Sequence, residues 1–526
     1  VAPLVNSFSF TSASPEPRIR DAIASKPTHD PLQRPEGKQL QHHGSQLRLQ
    51  LRWVPAAKMQ LLLFRNTIIC VVAAVFTNGC FYSGNVFSLK SSTQQSRPEF
   101  LMAMLIWTVV CYAAVMVASH LPSLMTQRFL DRPDHQPSLW FCTGKLLRGS
   151  SPYFAVSLAG MVGVGLLVQK TSLMHEHFQY KLHFYLGDLC NLVFTAGIAL
   201  AVRRIYYEET HQGRSRRLAL NDISEPRNGA PRKAHPPPNY RSPSFWREYL
   251  AKLPTCLLIA MAGGYVHVVS WHRILDRGSV EIMGFSAFGI GLKLALQEVA
   301  RWYVHKKRIR SIRTMCVLVG VPTVLIDTQT RLVLLGTQTN SFLVSGTFAM
   351  AVAELGLRAA KASFVMWTIR RKANALEEKL QQVLASEAPG GPSSASLKLE
   401  FELWRRQVLS HHTAELTADM YAEYIAIGCS QSIVFWYVGH PFYPALQLAS
   451  AAGLSELDMG RWRFNQVAML AFQFVVEIVV DYVCVVLEMA AGIDFDRIDG
   501  LSTFLGVLFM TMAVLNINIS SAVYLA

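Results

Sequence analysis

The chain has 526 residues, 51% apolar and 16% charged, with 50 Lys and Arg against 35 Asp and Glu for a formal net charge of +15. A soluble domain carries roughly 25% charged residues, so a soluble enzyme of this length is excluded as the starting expectation. The apolar residues gather in blocks of about 20 separated by basic segments, the pattern of an all-α, polytopic integral membrane bundle.

Residues 1–58 are rich in Pro, Gln, Ser and Arg and hold no apolar block. They read as a disordered extension, with Met59 as a membrane-protein start that would leave this stretch non-native. Eleven blocks of spanning length follow, near 67–88, 100–119, 151–169, 185–202, 254–275, 281–300, 314–336, 341–368, 421–438, 465–490 and 501–525. Polar residues in the first, fourth and sixth, and Pro322 at the middle of the seventh, widen the expected count to about nine to twelve. Spans one to four occupy 59–202, five to eight 254–368 and nine to eleven 421–526; 203–253 and 369–420 lie between these groups.

Basic residues alternate along this scheme. Alternate segments beginning with the N-terminal one hold 38 of the 50 Lys and Arg, the intervening segments hold seven, and five lie inside spans. By the positive-inside rule the N-terminus and heavy loops face the cytoplasm. Topology and anionic lipid then account for the net charge without a nucleic-acid partner. The nine cysteines show no C-x-x-C spacing and read as small packing residues.

The 203–253 loop passes from basic to Pro-rich sequence, and Pro237-Pro238-Asn239-Tyr240 resembles the P-P-x-Y ligand of WW domains. There the prolines fill an aromatic groove and the tyrosine a second pocket; the alternative is a plain linker. In 369–420 two helical stretches flank a Pro-Gly-Gly-Pro breaker, the second carrying Leu397, Phe401, Trp404 and Val408 on one stripe. An interfacial helix, a helical hairpin or a cap on the bundle each fits that pattern.

Charged side chains at span centres cost about 2.5–3.5 kcal/mol each, so they persist where partners or a wet cavity compensate them. In the tenth span Gln466, Gln473, Glu477, Asp481 and Glu488 share one face. Ionised Glu477 and Asp481, one turn apart, would repel, so one takes up or shares a proton or is neutralised by a cation. Glu354 and Arg358 lie four apart in the eighth span, as do Asp327 and Arg331 in the seventh beyond Pro322. Lys293 and Glu298 lie in the sixth. These faces are expected to converge on a polar interior, either an ion or solute pathway or a set of compensated ion pairs that hold helices together.

Weaker motifs need only brief weighing. His267 in the fifth span could relay protons or serve catalysis. His175, His177 and His183 lack an obvious fourth metal ligand, and glycines 160, 163 and 165 permit close helix packing. No P-loop, dinucleotide fingerprint, H-E-x-x-H or nucleophile elbow occurs at a usable position, so no cofactor, metal or catalytic residue is assigned. The expected function is a secondary transporter or channel-like protein with proton or cation coupling, acting on a small solute or ion. The alternatives are a membrane-embedded enzyme acting on lipid-like substrates and a receptor or scaffold that signals through its cytoplasmic loops. The plasma membrane is the default location.

Overall fold

The computed structural model describes residues 53–526 other than 132–134, 171–179, 216–243, 272–278, 307–308, 310, 336–339, 387–393, 447–455, 494 and 496–500. Among the described residues there are eleven α-helices: α1 Trp53–Ser83, α2 Arg97–Met125, α3 Leu139–Lys170, α4 Leu182–Glu209, α5 Phe245–Trp271, α6 Ser279–Lys306, α7 Ile312–Leu335, α8 Asn340–Ser386, α9 Ser394–Tyr437, α10 Glu456–Ala490 and α11 Ser502–Tyr524. Each overlaps one of the eleven apolar blocks, and among the described residues no strand occurs beyond the isolated bridge Phe129–Thr210.

Eight of these helices (α1–α4, α6, α7, α10 and α11) are long and apolar enough to cross a bilayer. The spans expected to be weak are all among them. The other three, α5, α8 and α9, are not among the eight over their described residues, where the apolar stretch found in α5 is Ile259–Trp271; Glu415, Asp419 and Glu423 interrupt α9.

Several helices outrun their apolar blocks. α1 begins at Trp53, inside the stretch read as an N-terminal extension, and α4 and α5 continue into the 203–253 loop. The 369–420 segment is helical as a prolongation of α8 and as the start of α9. Those two prolongations meet as a hairpin, the Lys372 ammonium lying 3.9 Å from the Trp404 ring centre. Leu397, Phe401, Trp404 and Val408 are half-buried along this contact, whereas Arg405 and Arg406 are exposed and His412 is buried.

α9 is the central helix. From His411 to Val434 every residue is buried, so no apolar period marks one face, as expected for a helix enclosed on all sides. It packs most extensively against α7 and also touches α1, α8, α10 and α11. Amide side chains tie α1 to this centre: Asn66 donates to the Tyr421 hydroxyl at 2.9 Å and to Ser502 Oγ at 3.0 Å, and Asn78 donates to Ser432 Oγ at 2.8 Å. α7 runs unbroken through Pro322, and Thr323 Oγ1 donates to the Val319 carbonyl one turn back.

Two groups close one end of the bundle. Lys181, in a left-handed conformation at the start of α4, donates from Nζ to the Leu525 carbonyl at 2.8 Å. Its ammonium is held down to about 8, chiefly by burial and then by Arg97. His440, just past α9, is 1% exposed and packed against Tyr82, Phe100, Phe442 and Tyr443; burial pushes its imidazole down to about 4.

The distribution of exposure inverts that of a water-soluble protein. On α10, Val475 and Val479 are 60% and 57% exposed, while Glu477 and Asp481 are 4% and 0% exposed. All nine cysteines are free. Of the three glycines read as packing positions, a Cβ at Gly160 would come within 2.9 Å of Cys190 Sγ and one at Gly165 within 2.7 Å of Met102, but Gly163 faces open space.

Candidate functional site

The buried ionisable groups collect between α6, α7, α8, α9 and α10. The i, i+4 rule places Lys293, Gln297 and Arg301 on one face of α6, and Glu415, Asp419 and Glu423 on one face of α9. The two faces form an antiparallel ladder. Lys293 Nζ lies 3.3 Å from Glu423 and 3.8 Å from Asp419, Gln297 Nε2 donates to Asp419 at 2.7 Å, and Arg301 reaches Glu415 at 3.3 Å. α7 joins through Asp327, 2.9 Å from Lys293 Nζ. α8 joins through Lys361, which donates to Gln297 Oε1 at 2.8 Å and to Glu415 at 2.9 Å.

A second patch is built around Arg358 on α8. Its guanidinium bonds Asp481 on α10, Glu354 on its own helix at 3.2 Å, and Glu488 on α10 at 3.3 Å. The third patch is a single pair, Arg331 on α7 and Glu477 on α10, 3.1 Å apart. A straight helix returns to the same face every seven residues with only a small drift, so Glu477, Asp481 and Glu488 all point inward along α10.

Among the described residues the charges do not balance. Five cations (Lys293, Arg301, Arg331, Arg358 and Lys361) face eight buried or half-buried carboxylates (Asp327, Glu354, Glu415, Asp419, Glu423, Glu477, Asp481 and Glu488). Arg301 also serves Glu298, which is largely exposed, and His411 Nδ1 lies 3.7 Å from Glu415. Lys293 and Arg358 each meet three carboxylates, and around Arg358 a fourth, Glu423, stands close by. At that place Glu354, Glu423 and Asp481 each bring one oxygen to within 4.8 Å of the others, close enough to share one ion. Glu423 Oε2, Asp481 Oδ2 and Glu488 Oε2 are buried and accept no hydrogen bond among the described residues. A buried carboxylate oxygen demands a partner, supplied by a proton, a cation or water.

The structure therefore gathers Glu354, Arg358, Asp327, Arg331, Glu477 and Asp481 in one interior, with Gln473 buried on the same face of α10. The i, i+4 pairing expected within α8 is present. In α7 it gives way to cross-helix pairs, Asp327 to Lys293 and Arg331 to Glu477. Glu488, Arg331 and Lys361, near the ends of their apolar blocks, are ion-paired, with side chains 4%, 12% and 20% exposed. His267 lies outside the cluster, its ring edge-on to Trp271 at 6.0 Å. His183 is buried with Nε2 2.9 Å from the Ala522 carbonyl oxygen, while His175, His177 and the Pro237, Pro238, Tyr240 motif lie outside the described residues.

The α9 acids, with Gln297 and Arg301 of α6, are members that sequence reading does not single out. Glu415 and Asp419 were placed in the segment before the ninth span and Glu423 at its edge, although their four-residue spacing is the signal that marked α10. No protein-family model, curated protein or solved structure matches the chain.

Proposed function

We propose that this is a membrane-embedded transporter or channel-like protein that moves protons or small cations through the polar interior of α6–α10. In this reading all eleven helices lie in the membrane region, α5, α8 and α9 being sheltered by the other eight, and the N-terminus and basic segments face the cytoplasm. The observation that carries the proposal is the excess of carboxylates around Arg358, where Glu354, Glu423 and Asp481 converge and three buried carboxylate oxygens accept no hydrogen bond. Ion pairs that served only to hold helices together would balance, because an uncompensated buried charge costs several kcal/mol. A proton or cation held by the surplus acids removes that cost and can be exchanged, which is what a pathway requires.

Within the same cluster, the balanced Arg331–Glu477 pair and the Gln297–Asp419 and Arg301–Glu415 rungs of the α6–α9 ladder serve as the scaffold that keeps these acids buried. The test is flux in liposomes containing the purified protein, driven in turn by a pH gradient and by alkali-cation gradients. Wild type is expected to carry one of these ions, and Glu423→Gln, still folded by thermal melting, to lose the flux. Ion-independent leakage, or flux unchanged in Glu423→Gln, would refute the proposal.

A further inference from the structure

On the other side of α7 lies a cavity of about 800 Å³, bounded by α2, α4, α5, α6, α7 and α11 and lined mostly by apolar side chains. It is separate from the charge cluster, since α7 presents Asp327 and Arg331 to the cluster and Leu318, Val321 and Leu325 to the cavity. The volume lies within the range of small-molecule sites, about 300–1,000 Å³. Along α7 the lining runs from Arg313 to Ile326, about 20 Å at the helical rise, more than the ~15 Å depth of one leaflet's hydrocarbon. Met261 and Trp302, 72% and 60% exposed, stand on its rim and open it sideways to the surroundings of the bundle.

Among the described lining residues, charge is confined to one end. His120 near the end of α2, Lys252 in the first turns of α5 and Arg313 at the start of α7 all line the cavity at the end where the basic segments gather. Arg313 makes no ion pair among the described residues and lies over Phe504, 5.4 Å from its ring centre. Lys252 is 3.8 Å from Glu248, whose other oxygen is engaged by Arg203 at 2.9 Å, so two cations share that one acid. The charged side chains that line the cavity, among the described residues, are thus both cations, while its body is mostly apolar and opens laterally.

We infer that this cavity binds an anionic phospholipid, its phosphate-bearing head group between Lys252 and Arg313 and an acyl chain running along α7 between α5, α6 and α11. The inference rests on membrane embedding but not on ion movement, so it stands or falls separately from the proposed flux. Charge complementarity selects the head group, and the lateral opening allows entry from the leaflet on the basic side.

The test is lipid retention by the full-length protein. Purified protein in detergent is offered equal amounts of phosphatidylserine and phosphatidylcholine of the same chain length, washed, and the bound lipid quantified by mass spectrometry. Phosphatidylserine is expected to be retained about tenfold over phosphatidylcholine, a difference worth about 1.4 kcal/mol. Lys252→Gln with Arg313→Gln is expected to abolish the preference, and Ala262→Trp, which fills the cavity and keeps both charges, to abolish retention. Equal retention of the two lipids by wild type overturns the inference, and that comparison needs no variant to fold. Unchanged phosphatidylserine retention in either folded variant, or retention of oleate in its place, overturns it as well.

Discussion

The guanidinium of Arg331 on α7 sits 3.1 Å from the carboxylate of Glu477 on α10, joining helices that are 146 residues apart in the chain at these positions. Both side chains are largely buried, at 12% and 5% exposure, so neither can turn to water if its partner is removed. Arg331→Gln and Glu477→Gln are each expected to destabilise the fold by about 3–5 kcal/mol, the usual cost of stranding one buried charge. The double variant should recover much of that loss. Thermal or denaturant unfolding in detergent checks this as a double-mutant cycle; additive losses would show that the pair is not energetically coupled.

Gln297 is the neutral rung of the α6–α9 ladder, donating to Asp419 at 2.7 Å and accepting from Lys361 at 2.8 Å. Gln297→Leu keeps the approximate volume but strands an acceptor and a donor. A loss of about 1–3 kcal/mol per stranded group is expected, read as a lowered unfolding midpoint. An unchanged midpoint would mean that the ladder is solvated and contributes little.

His440 sets an acid limit on stability. Its folded imidazole is held down to about 4 by burial, against an ordinary value of 6.5. Between these values the unfolded chain binds the extra proton, so stability is complete above about pH 6.5 and falls as the pH is lowered toward 4. The loss attributable to this residue reaches about 3 kcal/mol. His440→Phe, with an aromatic ring to pack against Phe100 and Tyr82, should flatten that part of the pH–melting profile relative to wild type. An identical slope in the two proteins would contradict the assignment.

Gly160 and Gly163 separate close packing from mere helix composition. A methyl at Gly160 meets Cys190 Sγ of α4 at 2.9 Å, whereas one at Gly163 meets nothing. Gly160→Ala is expected to cost about 1–3 kcal/mol through overpacking. Gly163→Ala should be neutral or stabilising by about 1 kcal/mol, because alanine is the better helix former. Reversal of that order in thermal melting would show that α3 does not pack against α4 as described.

Most of the architecture was legible in the sequence, because block length and apolar content are local properties. Each of the eleven blocks falls on a helix among the described residues, and of the α10 stripe Gln473, Glu477, Asp481 and Glu488 are buried as its spacing required, while Gln466 is half-buried. The partners of the stripe were only partly legible. Glu354 and Arg358 are a local pair, but Arg331 with Glu477 and Lys293 with Glu423 depend on which helices become neighbours, and hydropathy carries no such information. The α9 acids were obscured because α9 is buried all round, so its charged face is not set off by an exposed one. The lipid-shaped cavity could not be read at all, since its lining comes from six helices and its charges lie at span ends, where Lys and Arg are ordinary.

The central claim is that the acids around Arg358 outnumber their cations and hold an exchangeable proton or cation. Infrared difference spectroscopy of the purified protein measures this directly, by following the carbonyl band of protonated carboxyl groups as alkali cations or pH are varied. The expected result is a protonated-carboxyl or cation-displaced signal in wild type that is reduced in Glu354→Gln and in Glu423→Gln. A spectrum in which every buried carboxylate is ionised across the pH range, with no response to any cation, would contradict the account.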